Sequence, residues 1–186
     1  AKARVIAFEP LAAATLSFRE VFNSDEQVIL HQAAIGPKAG TANIHVAAAD
    51  DSSSLLPISD LQEQLFPGTG EIRTETIRVG RLSDFVSADE IVAPALLKLD
   101  VQGYELEALR ACQNLLDRFS YVYAECSFVE LYAGQFNADE VIAWLRKHQF
   151  RLSGVYNTRY DPKGKSIQAD FLFEKTYVTK HSYNSN

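Results

Sequence analysis

The chain has 186 residues, 47% of them hydrophobic and 23% charged, with a formal net charge of -6. That length fits one domain with a substantial core, and the composition is that of a folded globular protein rather than a disordered one. The negative balance and the lack of a basic cluster argue against nucleic-acid partners and anionic membrane surfaces, and no apolar stretch reaches the length of a membrane helix.

Cys112 and Cys126 match no metal or redox spacing, and a disulfide scaffold needs more cysteines. A reducing cytoplasm is the expected compartment. The chain has no methionine and enters an apolar run almost at once, so it reads as a piece of a longer polypeptide.

Residues 5–8 form a continuous apolar run, short enough for a buried parallel strand, which ends on Glu9 and Pro10. Proline suits the first turn of a helix. Leu11, Thr15, Phe18 and Phe22 then recur at helical spacing over residues 11–22. A strand is predicted over 27–34, a Gly/Pro turn over 36–40, and a hairpin partner over 41–48 that carries His45. A polar loop covers 50–54, and Pro57 and Pro67 limit any helix within 55–66. A strand follows over 75–79, then a short helix from Leu82 to about residue 90.

Residues 96–99, bounded by Pro94 and Gly103, read as a strand buried on both faces that ends on Asp100. After Gly103 comes a helix in which Leu109, Cys112, Leu116 and Phe119 share a face. Residues 121–124 form the next buried strand and end on Glu125. Asn137 with Glu140 has the form of a capping box and opens a helix to about His148. Strands over 150–156 and 168–174 flank a turn at 161–164, so they pair antiparallel. Residues 176–186 form a polar tail expected to fray. Strands alternating with helices, closed by a hairpin, predict an α/β three-layer sandwich in a single domain over residues 1–175.

Three strands end on an acid: Glu9, Asp100 and Glu125. In parallel strands all three carboxylates point at one rim, where open α/β sheets bind ligands. Glu9 can accept bonds from both hydroxyls of a ribose, with Pro10 and Leu11 offering an apolar edge to an adenine. The alternative for both Glu9 and Asp100 is capping of the helix that follows. Gly68 and Gly70 make a GxG that precedes a strand instead of following one, so it is a turn. The four histidines show no metal-ligand spacing, and His45 is a candidate base or a surface strand residue.

The segments 5–10 (VIAFEP), 52–56 (SSSLL), 96–105 (LLKLDVQGYE), 125–132 (ECSFVELY) and 168–174 (QADFLFE) resemble the FkbM family of methyltransferases in content, order and spacing. The resemblance implies a Rossmann-like class I methyltransferase fold that uses S-adenosylmethionine. Its sheet would be mostly parallel, with an antiparallel C-terminal hairpin. Glu9 would then hold the cofactor ribose, and Ala34 and Ile35 would border the adenine. Ser53 and Ser54 would lie in a loop over the cofactor. Asp100 would face the transferring methyl with Val101 and Gln102 behind it. Glu125 and Glu130 would lie toward the acceptor. The family's first strand and glycine loop precede the equivalent of Arg4, and that strand is expected between the Glu9 and Asp100 strands.

The expected reaction is methyl transfer to a hydroxyl of a sugar or another small-molecule acceptor. Asp100 is the first candidate for the base and Glu125 the second, and no metal is expected. One alternative is a catalytically inert domain that serves as a fold or binding module. Another is a nicotinamide-dependent dehydrogenase, which also uses an acid at the position of Glu9.

Overall fold

A computed structural model describes residues 3–176. Strand β1 (Val5–Phe8) pairs in parallel with β2 (Val28–His31), and helix α1 (Ala12–Phe22) makes the crossover. A second sheet has the order β3 (Ala34–Ile35), β5 (Glu71–Gly80), β4 (Gly40–Ala47). The third has the order β6 (Leu96–Leu99), β7 (Tyr121–Ser127), β9 (Ser166–Lys175), β8 (Phe150–Tyr160). Helices α2 (Asp60–Leu65), α3 (Glu105–Cys112) and α4 (Ala138–Lys147) complete the regular structure, with short 3-10 turns between.

The expectation of one mostly parallel sheet needs correction. Three strand pairs are parallel and three antiparallel, so the architecture is α/β with mixed sheets. The cause is chain return. The segments after β4 and β8 bring β5 and β9 back alongside the strand just left, which makes each pair antiparallel. The strand predicted over 27–34 is two strands. A tight turn in which the Ala33 N–H donates to His31 O (3.0 Å) moves β3 from β2 to the edge of β5. The hairpin partner of 41–48 is accordingly β5 and not the strand before it. The predicted tail lies almost wholly outside the described residues. Among those residues, no helix is long and apolar enough to cross a membrane.

The main core lies between the third sheet and helices α3 and α4. Along β7 the side chains alternate, so Val122, Ala124 and Cys126 face the helices, while Tyr121, Tyr123 and Glu125 face the other way. Leu109, Leu116, Val141, Leu145, Phe150 and Phe173 fill the space against them and are almost completely buried. Cys112 and Cys126 are free and sit in this core, where burial pushes the Cys112 thiol up to about 12 and raises Cys126 as well. The alternation on β7 delivers Glu125 to the sheet's open face, and the end of neighbouring β6 delivers Asp100 to the same edge.

Candidate functional site

The turn from β6 into α3 builds the site. Gln102 (φ 53°) and Gly103 (φ 87°) both lie in the left-handed region. A glycine is required at 103. A Cβ there would stand 2.9 Å from Tyr132 Cδ2, besides the unfavourable φ. Successive left-handed residues turn the Gln102 side chain back over the strand ends.

Gln102 is the hub. Its Nε2 donates to Asp100 Oδ1 (2.9 Å) and to Glu125 Oε2 (3.2 Å). Its Oε1 accepts from the Tyr132 hydroxyl (2.7 Å), and its backbone O accepts from Ser54 Oγ (2.6 Å). The other oxygen of Glu125 accepts from Gln168 Nε2 (2.9 Å). Lys98 Nζ lies 3.0 Å from Asp100 Oδ2. Asp170, opposite Glu125 in the β7–β9 register, accepts from the Tyr123 hydroxyl (3.0 Å) and from Asn157 Nδ2 (2.6 Å).

The electrostatics separate the two acids. Burial, with the charges of Asp100 and Asp170 close by, pushes the Glu125 carboxyl up to about 7, against the opposing pull of Gln102 and Lys98. Asp100 is nearly half-exposed and has the ammonium of Lys98 beside it. A carboxyl raised towards neutrality has a property that suits a general base, and Glu125 has it.

Glu9 stands at the end of β1 as expected, half-buried, with its carboxyl raised by burial and lowered in part by the Leu11 N–H. Its Oε1 accepts that N–H at 2.8 Å, one residue before α1 begins, and makes no capping bond to the helix itself; Oε2 accepts nothing from the described residues. Pro10 is half-buried beside it. Ala34 and Ile35 are half-buried on β3, Ala34 against the small core of Leu11, Ile44 and Val79, and Ile35 against the main core. Phe8 and Val101, the neighbours of Glu9 and Asp100 in sequence, both pack on that main core. Hydrogen bonds bring together Asp100, Gln102, Glu125 and Ser54 but, among the described residues, do not link Glu9 to them.

Ser54 departs from its expected role. It is 1% exposed, and its hydroxyl is used up by Gln102 O and by the Leu56 N–H (3.0 Å). It anchors the 52–54 loop to the Gln102 turn and presents no group to a ligand. Ser53 accepts from the Ala47 N–H (3.1 Å), and Glu130 accepts from the Gly134 N–H (2.7 Å), so both close local turns. His45 pairs with Glu71 (2.8 Å) on the β4–β5 ribbon. A cleft of about 490 Å³ between α1 and β2, lined by Phe18, Phe22, Val28 and Leu30, opens at the start of β2. Since β1 and β2 are parallel, that is the end away from Glu9.

Tyr132, Gln168 and Asp170 are members of the network that sequence reasoning did not name. Alternation on β9 was the available signal. Gln168, Asp170, Leu172 and Glu174 share one face, and pairing that strand with β7 sets Asp170 against Glu125.

Comparison with known proteins addresses the family and the fold. Residues 1–152 match the model of the methyltransferase FkbM domain. The chain is 29% identical over 143 residues to the 2-O-methyltransferase NoeI of Sinorhizobium fredii (strain NBRC 101917 / NGR234), covering 72% of this chain and 58% of that protein. It therefore spans little more than half the length of this curated relative. The crystal structure of methyltransferase FkbM from Methylobacillus flagellatus KT superposes with a TM-score of 0.53 at 13% identity, over 90% of this chain and 36% of that one. At that identity the likeness speaks for the fold alone. With the family model matched over most of its length, the chain belongs to the FkbM methyltransferase family.

Proposed function

We propose that the protein uses S-adenosylmethionine to methylate a hydroxyl of a small-molecule acceptor, such as a sugar, in the cytoplasm. The observation that carries this reading is the Gln102-bridged pair of Asp100 and Glu125 beside the carboxyl end of β6, where α/β sheets bind ligands. Glu9 fits the cofactor in one respect: Oε2 is uncommitted, half-buried and able to take ribose hydroxyls. Pro10, Ala34 and Ile35 supply an apolar border for the adenine. Asp100, Val101 and Gln102 would meet the methionine end. When bound, S-adenosylmethionine supplies a methyl carbon activated by its sulfonium.

The chain's own residues then align and deprotonate. Glu125 would take the acceptor's hydroxyl proton as the acceptor oxygen gains the methyl carbon and the donor's carbon–sulfur bond breaks. Gln102 and Gln168 each hold one of its oxygens, so the carboxylate is fixed before reaction. Alignment of this kind can contribute roughly 7–11 kcal/mol. The separate sheets are read as parts of one Rossmann-like three-layer sandwich. Each of β1 and β6 has one partner strand among the described residues, and each leaves an apolar side chain open, Val5 and Leu96. A further parallel strand between them would join the sheets and supply backbone donors for the methionine moiety.

The test is methyl transfer by the whole protein as a function of pH. The reading expects a limb of kcat/KM near pH 7 and, for Glu125→Gln, a fall of roughly 10²–10⁴-fold with that limb gone. Wild-type activity in Glu125→Gln would sink it.

A further inference from the structure

Glu105 is a buried carboxylate for which the reaction has no use. It opens α3, is 3% exposed, and sits in the main core beneath the strand ends. Burial raises its carboxyl to about 8. An acid is an expensive residue to bury unless its oxygens are satisfied. Here one oxygen does two jobs: Oε1 accepts from the Val101 N–H (3.3 Å) and from the Gly103 N–H (3.2 Å). These are the amides on either side of Gln102, the residue in the left-handed conformation. Such a conformation costs a non-glycine residue free energy and persists only where its surroundings enforce it.

We infer that Glu105 is a positioning residue: by clamping the amides that flank Gln102 it holds that side chain in the bridge between Asp100 and Glu125. What matters is reach and acceptor oxygen, not charge. Asp100, Asp170 and Lys98 are the charged neighbours of Glu125. Glu105 and Glu125 repel only when both are ionised, and with Glu105 raised to about 8 its carboxyl is largely protonated while Glu125 titrates near 7, so the Gln102 hydrogen bond is what Glu105 controls there.

The inference deepens the methyltransferase reading, yet its test does not require turnover. The Glu125 carboxyl is titrated by 13C NMR on the Glu-labelled full-length protein, with Val101 and Gly103 amide exchange read in parallel. Glu105→Asp keeps the acid but shortens the side chain by one methylene, so it cannot reach both amides. Glu105→Gln loses the acid and keeps length and acceptor. Glu105→Asp is expected to raise the Glu125 pKa by about one pH unit and to speed exchange at Val101 and Gly103 by tenfold or more, the loss of one hydrogen bond to a charged group. Gln102→Ala is expected to raise the Glu125 pKa equally, and Gln102→Ala with Glu105→Asp no further. Glu105→Gln is expected to leave both readouts as in the wild type. The opposite pattern, a silent Glu105→Asp and a shifted Glu105→Gln, would overturn the inference, as would additive effects in the double variant. Both substitutions are conservative, so folded protein is expected for each, and a failure of methyl transfer in the wild type would leave these titrations unaffected.

Discussion

Gly103→Ala isolates the cost of the turn that carries the site. Two effects add. At φ 87° an alanine is in the left-handed region, which costs roughly 1–2 kcal/mol. The new methyl also meets Tyr132 Cδ2 at 2.9 Å, Tyr132 Cβ at 3.0 Å and Gln135 Oε1 at 3.1 Å. Neither neighbour yields easily. Tyr132 is 1% exposed and Gln135 9%. Gln135 Oε1 already accepts from the Leu131 and Tyr132 N–H groups at 2.9 and 2.8 Å. Overpacking of this kind costs roughly 1–3 kcal/mol. The sum, about 2–5 kcal/mol, corresponds to a melting temperature lower by about 10 °C for a chain of this length. Gly164 is the internal control, with φ 80° and nothing within 4 Å of an added Cβ. Gly164→Ala carries the backbone cost alone and is expected to lower the melting temperature by about 2–8 °C. Scanning calorimetry of both variants separates the effects. Equal losses at 103 and 164 would refute the packing argument, and no loss at either would refute the backbone one.

Three other outcomes are expected. Tyr132→Phe removes the hydroxyl whose single proton is shared between Gln102 Oε1 (2.7 Å) and Ser52 O (3.1 Å), takes that donor from both, and should cost about 1–3 kcal/mol in denaturant unfolding. Glu105 and Glu125 both have carboxyls raised above the ordinary value, so the folded chain binds more protons than the unfolded one between about pH 4.5 and 8. Stability should therefore be full below pH 4.5 as far as these groups go, and fall as the pH rises to about 8. Glu105→Gln should flatten that slope when denaturant midpoints are compared at pH 5 and pH 8. Cys112 and Cys126, buried and raised, should react with a thiol reagent only as the protein opens, so labelling should track unfolding and not thiol ionisation.

The parts of the fold that follow from short-range pattern were legible in the sequence. β1, β6, β7 and the return of β9 stand where apolar runs and turn residues put them. Glu140 accepts from the Asn137 N–H at 3.0 Å at the start of α4, as the spacing suggests. Strand partnering was harder. Whether 41–48 pairs with what precedes it or with a strand beyond a long excursion depends on closure of the whole sheet. The helix after Gly103 ends as an α-helix at Cys112 and continues as a 3-10 turn over Gln113–Arg118, a change that apolar spacing alone does not reveal. In the site, the residue types were readable and their division of labour was not. Asp100 and Glu125 differ because one is flanked by Lys98 in solvent and the other is buried between two acids, a three-dimensional distinction. Ser54 is spent on Gln102 O for the same kind of reason.

If Glu9 on one sheet and Asp100 with Gln102 on another serve a single ligand, titration of the 15N-labelled protein with S-adenosylhomocysteine should shift the amides of Glu9, Ala34, Ile35 and residues 100–103 together, saturating with one dissociation constant. Shifts confined to the α1–β2 cleft, or at only one of the two clusters, would contradict that reading.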